Sequence, residues 1–504
     1  MQNTIFTLKL LAFLITAILA SNTLTFSSTK SEEKRVAVIV KPTRDFSKPE
    51  TYELHSAGAA TVFKYLNQHS FSHSSANMSF ERELDFKVGN GFFRRLWVSA
   101  PASTKSTDGL GPLFNARSCQ HCHLKDGRGH TPLGNWPVDD AVSMFLRLSI
   151  PPQNEKQRSL IDKHRLKVIP DPTYGGQLQD LSIQGHEGEG KMKIEYQEFP
   201  VKFSDGTVVF LRKPTYFVVD WKYGPPHPEL QISPRIAPPM IGLGMLEVIS
   251  QRDILANADP EDINNDGISG KANQVWDIRE DKVSLGRVGW KAGEPNIRQQ
   301  SSKAFNIDIG ISAPLADSPW GDCSPNQNKC LNAPNGNTRS QNNLEIAPEA
   351  MDKLVFYSRN LGVPARRDIE NPKVLAGKKL FYETGCVGCH RPKFVTKRLQ
   401  NQPEQSFQLI WPYSDLLLHD MGEGLADNRH EGIVNGKEWR TAPLWGIGLT
   451  ETVSGHTQFL HDGRARNLIE AILWHGGEAE FIKQNFLKFN SKKRSELLAF
   501  LNSL

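Results

Sequence analysis

The segments CQHCH at residues 119–123 and CVGCH at residues 386–390 share the pattern C-x-x-C-H. Two thiols at this spacing can add across the two vinyl groups of one porphyrin, and the adjacent His then lies beneath the iron as its fifth ligand. A thioredoxin-type dithiol does not need the following His, and a zinc site does not need it at the same place twice. The repeated pattern therefore predicts two covalently bound haem c groups, one at each segment.

Each predicted haem has a defined set of protein ligands. The thioether bonds would form at Cys119, Cys122, Cys386 and Cys389, and the axial nitrogens would come from His123 and His390. The sixth position of each iron decides the function, because a Met or His there favours electron transfer, whereas an open position admits peroxide or oxygen. The candidates for the sixth position are His130, His419, Met421, His456, His461 and His475.

The two remaining cysteines, Cys323 and Cys330, flank the turn-forming segment SPNQNK. In an exported protein, two thiols this close together form a local disulfide. We predict a structural disulfide here, with a redox-active pair as the alternative.

The N-terminus resembles a secretory signal. Lys9 precedes the short apolar core Leu10–Ala20, which is shorter than the roughly 20 residues that a membrane-spanning helix needs. We predict a signal peptide over residues 1–20, a linker over 21–50 and a periplasmic or otherwise exported protein. An uncleaved membrane anchor is the alternative, and no later apolar run predicts a membrane span.

Charge and composition exclude one class of partner. The 504-residue chain has a formal net charge of +5, with no block of Lys and Arg residues. Haem propionates would offset much of this charge. Nucleic-acid binding is therefore not expected.

The predicted fold is mainly α, with two cytochrome c-like haem domains. Residues 51–340 would form the N-terminal haem domain, with a mixed, partly β insertion from about residue 140, and residues 341–504 would form the C-terminal domain. Apolar spacing predicts helices from about 57 to 93 and over 351–361, 467–475 and 493–504. Asp205-Gly206, between β-branched and aromatic residues of 201–221, predicts a hairpin.

The run DINNDGIS at residues 262–269 has oxygen side chains at alternate positions followed by Gly, as at the start of an EF-hand loop. Asp262, Asn264 and Asp266 are therefore candidate calcium ligands. Position twelve of the loop holds Asn273 instead of Glu. An Asx-rich turn without metal is the alternative.

Several longer segments resemble a known family. Residues 439–444 and 459–463, after the second motif, are similar to the di-haem cytochrome c peroxidase superfamily. Residues 109–123, 237–249, 289–300, 354–367 and 416–427 more closely resemble a family of di-haem c-type oxidoreductases, some of them called thiol oxidoreductases. The resemblance covers about residues 50–504.

The resemblance implies an enzyme in which one haem receives electrons and the N-terminal haem reduces hydrogen peroxide. In the peroxidases, a Met directly before the His-Asp-Gly segment binds the C-terminal iron. Leu460 stands at that place here and cannot bind iron. Met421 is the predicted replacement. In the competing hypothesis, this haem is five-coordinate and reactive, with His461 or Glu423 assisting.

Together these features predict a di-haem oxidoreductase of peroxidase type. A small redox protein of the cytochrome or cupredoxin type would donate electrons, and hydrogen peroxide or a related small oxidant would accept them. One alternative is a di-haem cytochrome that only transfers electrons. Another is an oxygenase, or an enzyme that oxidises protein side chains. A thiol oxidoreductase activity finds no support, because haem attachment consumes four of the six cysteines.

Overall fold

The computed structural model describes residues 30–140 and 142–504. The predicted signal peptide lies outside the described residues. The α-helices, in chain order, are α1 (Lys30–Ile39), α2 (Phe80–Arg94), α3 (Cys119–Cys122), α4 (Glu155–Asp162), α5 (Leu243–Glu247), α6 (Gln251–Leu255), α7 (Ile297–Asp308), α8 (Asn328–Leu331), α9 (Pro348–Arg359), α10 (Pro372–Thr384), α11 (Thr450–Ser454), α12 (Leu468–Leu473), α13 (Glu480–Leu487) and α14 (Ser491–Ser503).

The strands form small antiparallel pairs. They are β1 (Leu113–Phe114), β2 (Met144–Ser149), β3 (Leu181–Ser182), β4 (Lys191–Lys202), β5 (Val208–Val219), β6 (Gln231–Ile236), β7 (Gln274–Asp277), β8 (Lys282–Leu285), β9 (Phe394–Val395), β10 (Leu409–Ile410), β11 (Leu418–Asp420) and β12 (Glu438–Arg440). The pairs are β1–β3, β2–β6, β4–β5, β7–β8, β9–β10 and β11–β12. Among residues 30–140 and 142–504, helix including 3-10 turns accounts for 29%, and strand including isolated bridges accounts for 18%, so helix predominates as predicted. The division into two cytochrome c-like domains stays a prediction.

The longest pair is the hairpin β4–β5, which confirms the hairpin predicted at Asp205-Gly206. Its twelve residue pairs run from Lys191↔Val219 to Lys202↔Val208. The hairpin packs against the C-terminal part of the chain, because Arg212 donates to the carbonyls of Gly463 and Arg464 at 3.0 and 2.9 Å. A segment from the middle of the chain thus forms part of the C-terminal core.

Two large clusters of buried apolar side chains form most of the core. One includes residues of α10, α12 and α14, and the other includes residues of α2, α7 and α9. Helix α9 follows the predicted boundary at 340, yet Met351, Leu354 and Tyr357 pack with the N-terminal helices. Conversely, Glu53 forms an ion pair with Lys378 of α10 at 2.8 Å. Segments cross between the two halves, and the exact domain boundary stays a prediction.

The prediction of a helix over 57–93 is correct only for the C-terminal part of that range. Helix α2 begins at Phe80, and the preceding segment pairs with distant backbone, through the bridges Ala57↔Ile410 and Val62↔Pro364. Gly58 takes a left-handed φ of 60°, which an α-helix does not use, and residues Gly58–Ala60 form only a 3-10 turn. Tertiary pairing therefore overrides the local helical pattern.

The helix predictions in the C-terminal part are confirmed. Asn467 caps α12 by accepting from the Glu470 amide, and Asn490 caps α14 by accepting from the Lys493 amide. Helix α1 lies within the predicted linker, where Glu32 pairs with Arg398 at 2.5 Å. Among the described residues, no helix combines the length and apolarity that crossing a bilayer requires.

Two glycines of α2 give a matched test of helix packing. A Cβ at Gly89 would lie 2.1 Å from the Lys353 carbonyl oxygen of α9, whereas a Cβ at Gly91 would have no atom within 4 Å. We expect Gly89→Ala to lower the free energy of unfolding by about 1–3 kcal/mol through overpacking. Gly91→Ala should raise it by roughly 0.5–1 kcal/mol, since Ala is the better helix former. Denaturant titration measures both, and equal effects would contradict the close α2–α9 contact at Gly89.

Candidate functional site

The first C-x-x-C-H segment forms the single-turn helix α3. Its turn puts Cys119 and Cys122 three residues apart on one face, and the His123 amide donates to the Cys119 carbonyl at 3.0 Å. The Nδ1 of His123 lies 2.8 Å from the Pro238 carbonyl oxygen. A ring that donates from Nδ1 leaves Nε2 unprotonated and free to bind a metal, which is the usual arrangement of ligating His. Burial lowers the pKa of His123 to about 4, so the ring is neutral.

The second segment reaches the same geometry by another route. Gly385 ends α10 with a φ of 103°, and residues Cys386–Gly388 then form a 3-10 turn. The His390 amide donates to the Cys386 carbonyl at 2.9 Å, and His390 Nδ1 lies 2.8 Å from the Tyr413 carbonyl oxygen. Here too Nε2 is left for a metal. Two stretches of chain with different local structure thus orient a His in the same way, with Nε2 available to bind a metal.

The four motif thiols are poor candidates for dithiol redox chemistry. Burial raises the pKa of Cys119 and of Cys386 to about 12. Reactive cysteines need a depressed pKa, because the thiolate is the nucleophile. The surroundings of the motifs thus disfavour thiol exchange.

A cavity adjoins the second motif. It has a volume of about 190 Å³ and is partly open to solvent. Its lining is mainly apolar, with Phe381, Leu460 and Leu468 beside the motif residues. Cavities with apolar walls and a few convergent polar groups are typical of cofactor sites. The lining beside the second C-x-x-C-H segment therefore has the apolar character that a porphyrin needs.

Arg128, which is buried, and Arg440, which is partly buried, line this cavity, and neither forms an ion pair with a carboxylate among the described side chains. Arg128 Nε has no hydrogen-bond partner there, and Arg440 Nε donates only to the Gly289 carbonyl at 2.8 Å. Burial lowers the pKa of each guanidinium to about 10. A buried charge of this kind needs an anion. Haem propionates would supply it, so the residues present fit the predicted group.

One wall of the cavity rests on a cluster of buried ions, here called the 427 cluster: Arg235, Lys291, Asp427, Arg429 and Glu431. Asp427 lies 3.1 Å from Lys291 and 3.3 Å from Arg235, and Glu431 lies 2.6 Å from Arg235 and from Arg429. Sequence reasoning missed this cluster. Its only signal was that Lys291 and Asp427 fall in segments that resemble the family.

The 427 cluster supports an aromatic pair. Trp439 stacks on His461 with ring centroids 3.7 Å apart and an angle of 13° between the planes. Arg235 and Lys291 lie over the Trp439 ring at 4.8 and 4.5 Å. Burial lowers the pKa of His461 to about 3. The pair therefore presents a neutral imidazole at the cavity wall.

The candidates for the sixth position separate into groups. Met421, His419, His461 and His475 all line the cavity, as does Leu460. His130 and His456 instead contact each other, with ring centroids 5.4 Å apart. Glu423 is exposed and pairs with Lys437; it does not line the cavity beside the second motif.

His419 is held between two carboxylates. Its Nε2 lies 2.8 Å from Asp415 and its Nδ1 lies 2.6 Å from Glu478. Burial opposes the charged ring, but the hydrogen bonds to these carboxylates outweigh it and raise the pKa of His419 well above its usual value. An imidazolium with both nitrogens engaged has no lone pair for iron.

The predicted disulfide between Cys323 and Cys330 is present, with Cα atoms 6.2 Å apart.

The predicted calcium site at residues 262–269 stays a prediction. Asp262 Oδ1 accepts from the amides of Asp266 and Gly267 at 3.0 and 3.2 Å, as in an Asx turn. Within residues 30–140 and 142–504, no group of three or more His, Cys, Asp or Glu side chains could hold a metal ion.

Calcium binding therefore stays a prediction, with a direct test. If the loop needs calcium, excess EGTA should lower the midpoint of thermal unfolding, and so should Asp266→Ala. Adding EGTA to the Asp266→Ala variant should then lower that midpoint no further. An unchanged midpoint in both experiments would refute calcium binding and support the Asx turn without metal. Differential scanning calorimetry of the purified protein measures these shifts.

Comparisons with known proteins come from three directions. A family model described as "Di-haem oxidoreductase, putative peroxidase" matches residues 51–504. No match was found among curated proteins. Among solved structures, a chain of hydrazine synthase from Kuenenia stuttgartiensis is 19% identical, with a TM-score of 0.21. That match covers 32% of the present chain and only 56% of the hydrazine synthase chain, and a likeness this low carries no structural argument.

The family model spans nearly all the described residues and includes both C-x-x-C-H segments, the cavity and the 427 cluster. This chain belongs to the di-haem oxidoreductase family.

Proposed function

We propose that this protein is an exported c-type di-haem oxidoreductase that reduces hydrogen peroxide with electrons from a small redox protein. The observation that carries the proposal is the matched pair of motifs, each with its His Nδ1 bonded to a backbone carbonyl. Haem, when bound, supplies an iron that changes oxidation state and can bind the oxidant. The family to which the chain belongs supports an oxidoreductase.

The protein groups have distinct proposed roles. His123 and His390 would hold the irons through Nε2, and the four motif cysteines would hold the porphyrins. Arg128 and Arg440 would neutralise propionates. Neither guanidinium forms an ion pair with a carboxylate among the described residues, and Arg128 Nε has no hydrogen-bond partner there, which supports this role.

Contacts between the two sites support electron exchange. Trp290 lines the cavity of the second motif, and its Nε1 donates to the Ile236 carbonyl at 2.8 Å. The next residue, Ala237, packs with Cys122 of the first motif. Arg128, five residues after His123, lies over the Trp290 ring at 5.7 Å. A packed path thus joins the motifs, as two one-electron centres that serve one reaction require.

Reduction of one hydrogen peroxide to two waters consumes two electrons and two protons, and a small donor protein delivers electrons singly. Two haems can store the two equivalents. We propose that the segment 119–123 would hold the haem that meets the oxidant, as in the related peroxidases, and that the segment 386–390 would hold the haem that stores an electron. Export and the identity of the donor are parts of the same proposal.

The test is peroxide-dependent oxidation of a reduced small c-type cytochrome or cupredoxin, followed by absorbance. We expect turnover with the intact protein and a loss to background in the Cys119→Ala, Cys122→Ala double variant. Two six-coordinate low-spin haems that do not react with peroxide would instead establish the electron-transfer alternative. Dioxygen consumption, or oxidation of a protein substrate without peroxide, would favour the oxygenase alternative.

A further inference from the structure

His475 lies at the end of the cavity-lining helix α12. Its amide donates to the Ile472 carbonyl at 3.1 Å, and its Nδ1 lies 2.7 Å from the Ala471 carbonyl oxygen. This bond places the ring proton on Nδ1 and leaves the Nε2 lone pair free. No described residue forms a hydrogen bond with that Nε2.

The orientation of His475 repeats that of His390. In both residues Nδ1 is bonded to a backbone carbonyl, and both side chains line the same cavity. A His whose second nitrogen donates to a carbonyl is the standard form of a metal-ligating imidazole.

The other cavity residues are less suited to be the sixth ligand. Both nitrogens of His419 are bonded to carboxylates. His461 also has an unpartnered Nε2, but its ring lies flat against Trp439, and no carbonyl among the described residues accepts from its Nδ1. Leu460 has no donor atom. Met421 remains the one rival, and its backbone lies close to the turn after His475, since a Cβ at Gly476 would be 3.0 Å from the Met421 carbonyl oxygen. Only one of these two neighbouring residues can complete the coordination.

We propose that Nε2 of His475, rather than the thioether of Met421, is the sixth ligand of the C-terminal haem iron, opposite His390. This inference rests on the proposed function, in which that haem is present. Two imidazole ligands close the iron to peroxide and dispense with the Met ligand that raises the potential in cytochromes c. The C-terminal haem then serves as a low-potential electron store, and the oxidant must bind at the N-terminal haem.

The experiment uses the purified protein with both haems attached. Optical and EPR spectra and a redox titration are recorded for wild type, His475→Ala, His475→Met, Met421→Leu and the exposed control His430→Ala. We expect His475→Ala to convert one low-spin haem to a high-spin haem that binds added imidazole and thereby recovers the low-spin spectrum. His475→Met should raise one midpoint potential and create the Met-to-iron charge-transfer band. Met421→Leu and His430→Ala should match wild type.

Two results would overturn the assignment. One is a wild-type spectrum and potential in His475→Ala or, if that variant does not fold, in His475→Met. The other is a charge-transfer band in wild type that Met421→Leu abolishes. Intact mass is measured on every sample. A wild-type mass without two haems would refute the proposed function itself, which separates that failure from a wrong sixth ligand.

Discussion

Replacing Cys119 and Cys122 by Ala should remove one haem from the protein and leave the other in place. The same double replacement at Cys386 and Cys389 should remove the second haem. Thioether bonds hold the porphyrin whether or not the protein is folded, so the intact mass of denatured wild type should exceed that of the signal-cleaved polypeptide by two haem masses. Acid–acetone extraction should not release either group. Mass spectrometry and pyridine haemochrome spectra measure these outcomes.

The disulfide provides a matched control for cysteine loss. Cys323→Ala with Cys330→Ala also removes two thiols from a short loop, yet it should leave both haems attached. A motif variant that still carries two haems would refute attachment at that motif. Loss of haem from the disulfide variant would indicate that haem loss in the motif variants results from misfolding and not from removal of the attachment cysteines.

Replacing Asp427 by Ala should lower the free energy of unfolding by about 3–5 kcal/mol, because Lys291 and Arg235 then remain as buried charges without that counter-ion. The side chains of Lys291 and Asp427 are fully buried. The matched control is Glu195→Ala, whose ion pair with Lys193 is exposed and should be worth about 0–1 kcal/mol. Denaturant titration of the holoprotein measures both. Equal effects would contradict a stabilising role of the 427 cluster.

The 427 cluster also predicts acid sensitivity. Burial alone would raise the pKa of Asp427, but Lys291 and Arg235 outweigh it and hold that pKa below its usual value. A carboxyl with a depressed folded-state pKa favours folding above its unfolded-state value, and that contribution is lost as the pH falls. Stability should therefore decline below about pH 4. The decline should be shallower in the Asp427→Ala variant.

Some features could be predicted because their causes are local. The spacing of 119–123 and 386–390 defines covalent chemistry within five residues, and the hairpin turn at Asp205-Gly206 depends on its own backbone. The helix predicted from residue 57 was wrong for residues 57–79, because bridges to residues 364 and 410 determine that backbone. Helical spacing in the sequence does not reveal such distant partners.

The sequence by itself thus determined that the chain carries two haem-attachment motifs and which His follows each. The tertiary structure decided what surrounds them. The 427 cluster joins residues 235, 291 and 427, and the cavity beside the second motif brings Arg128 to residues of 439–501. It also distinguished among candidate ligands that were equivalent in the sequence: His419 has both nitrogens engaged, whereas His475 keeps Nε2 free. Such differences arise from hydrogen bonds that exist only after folding, because the orientation of an imidazole is set by its neighbours in space.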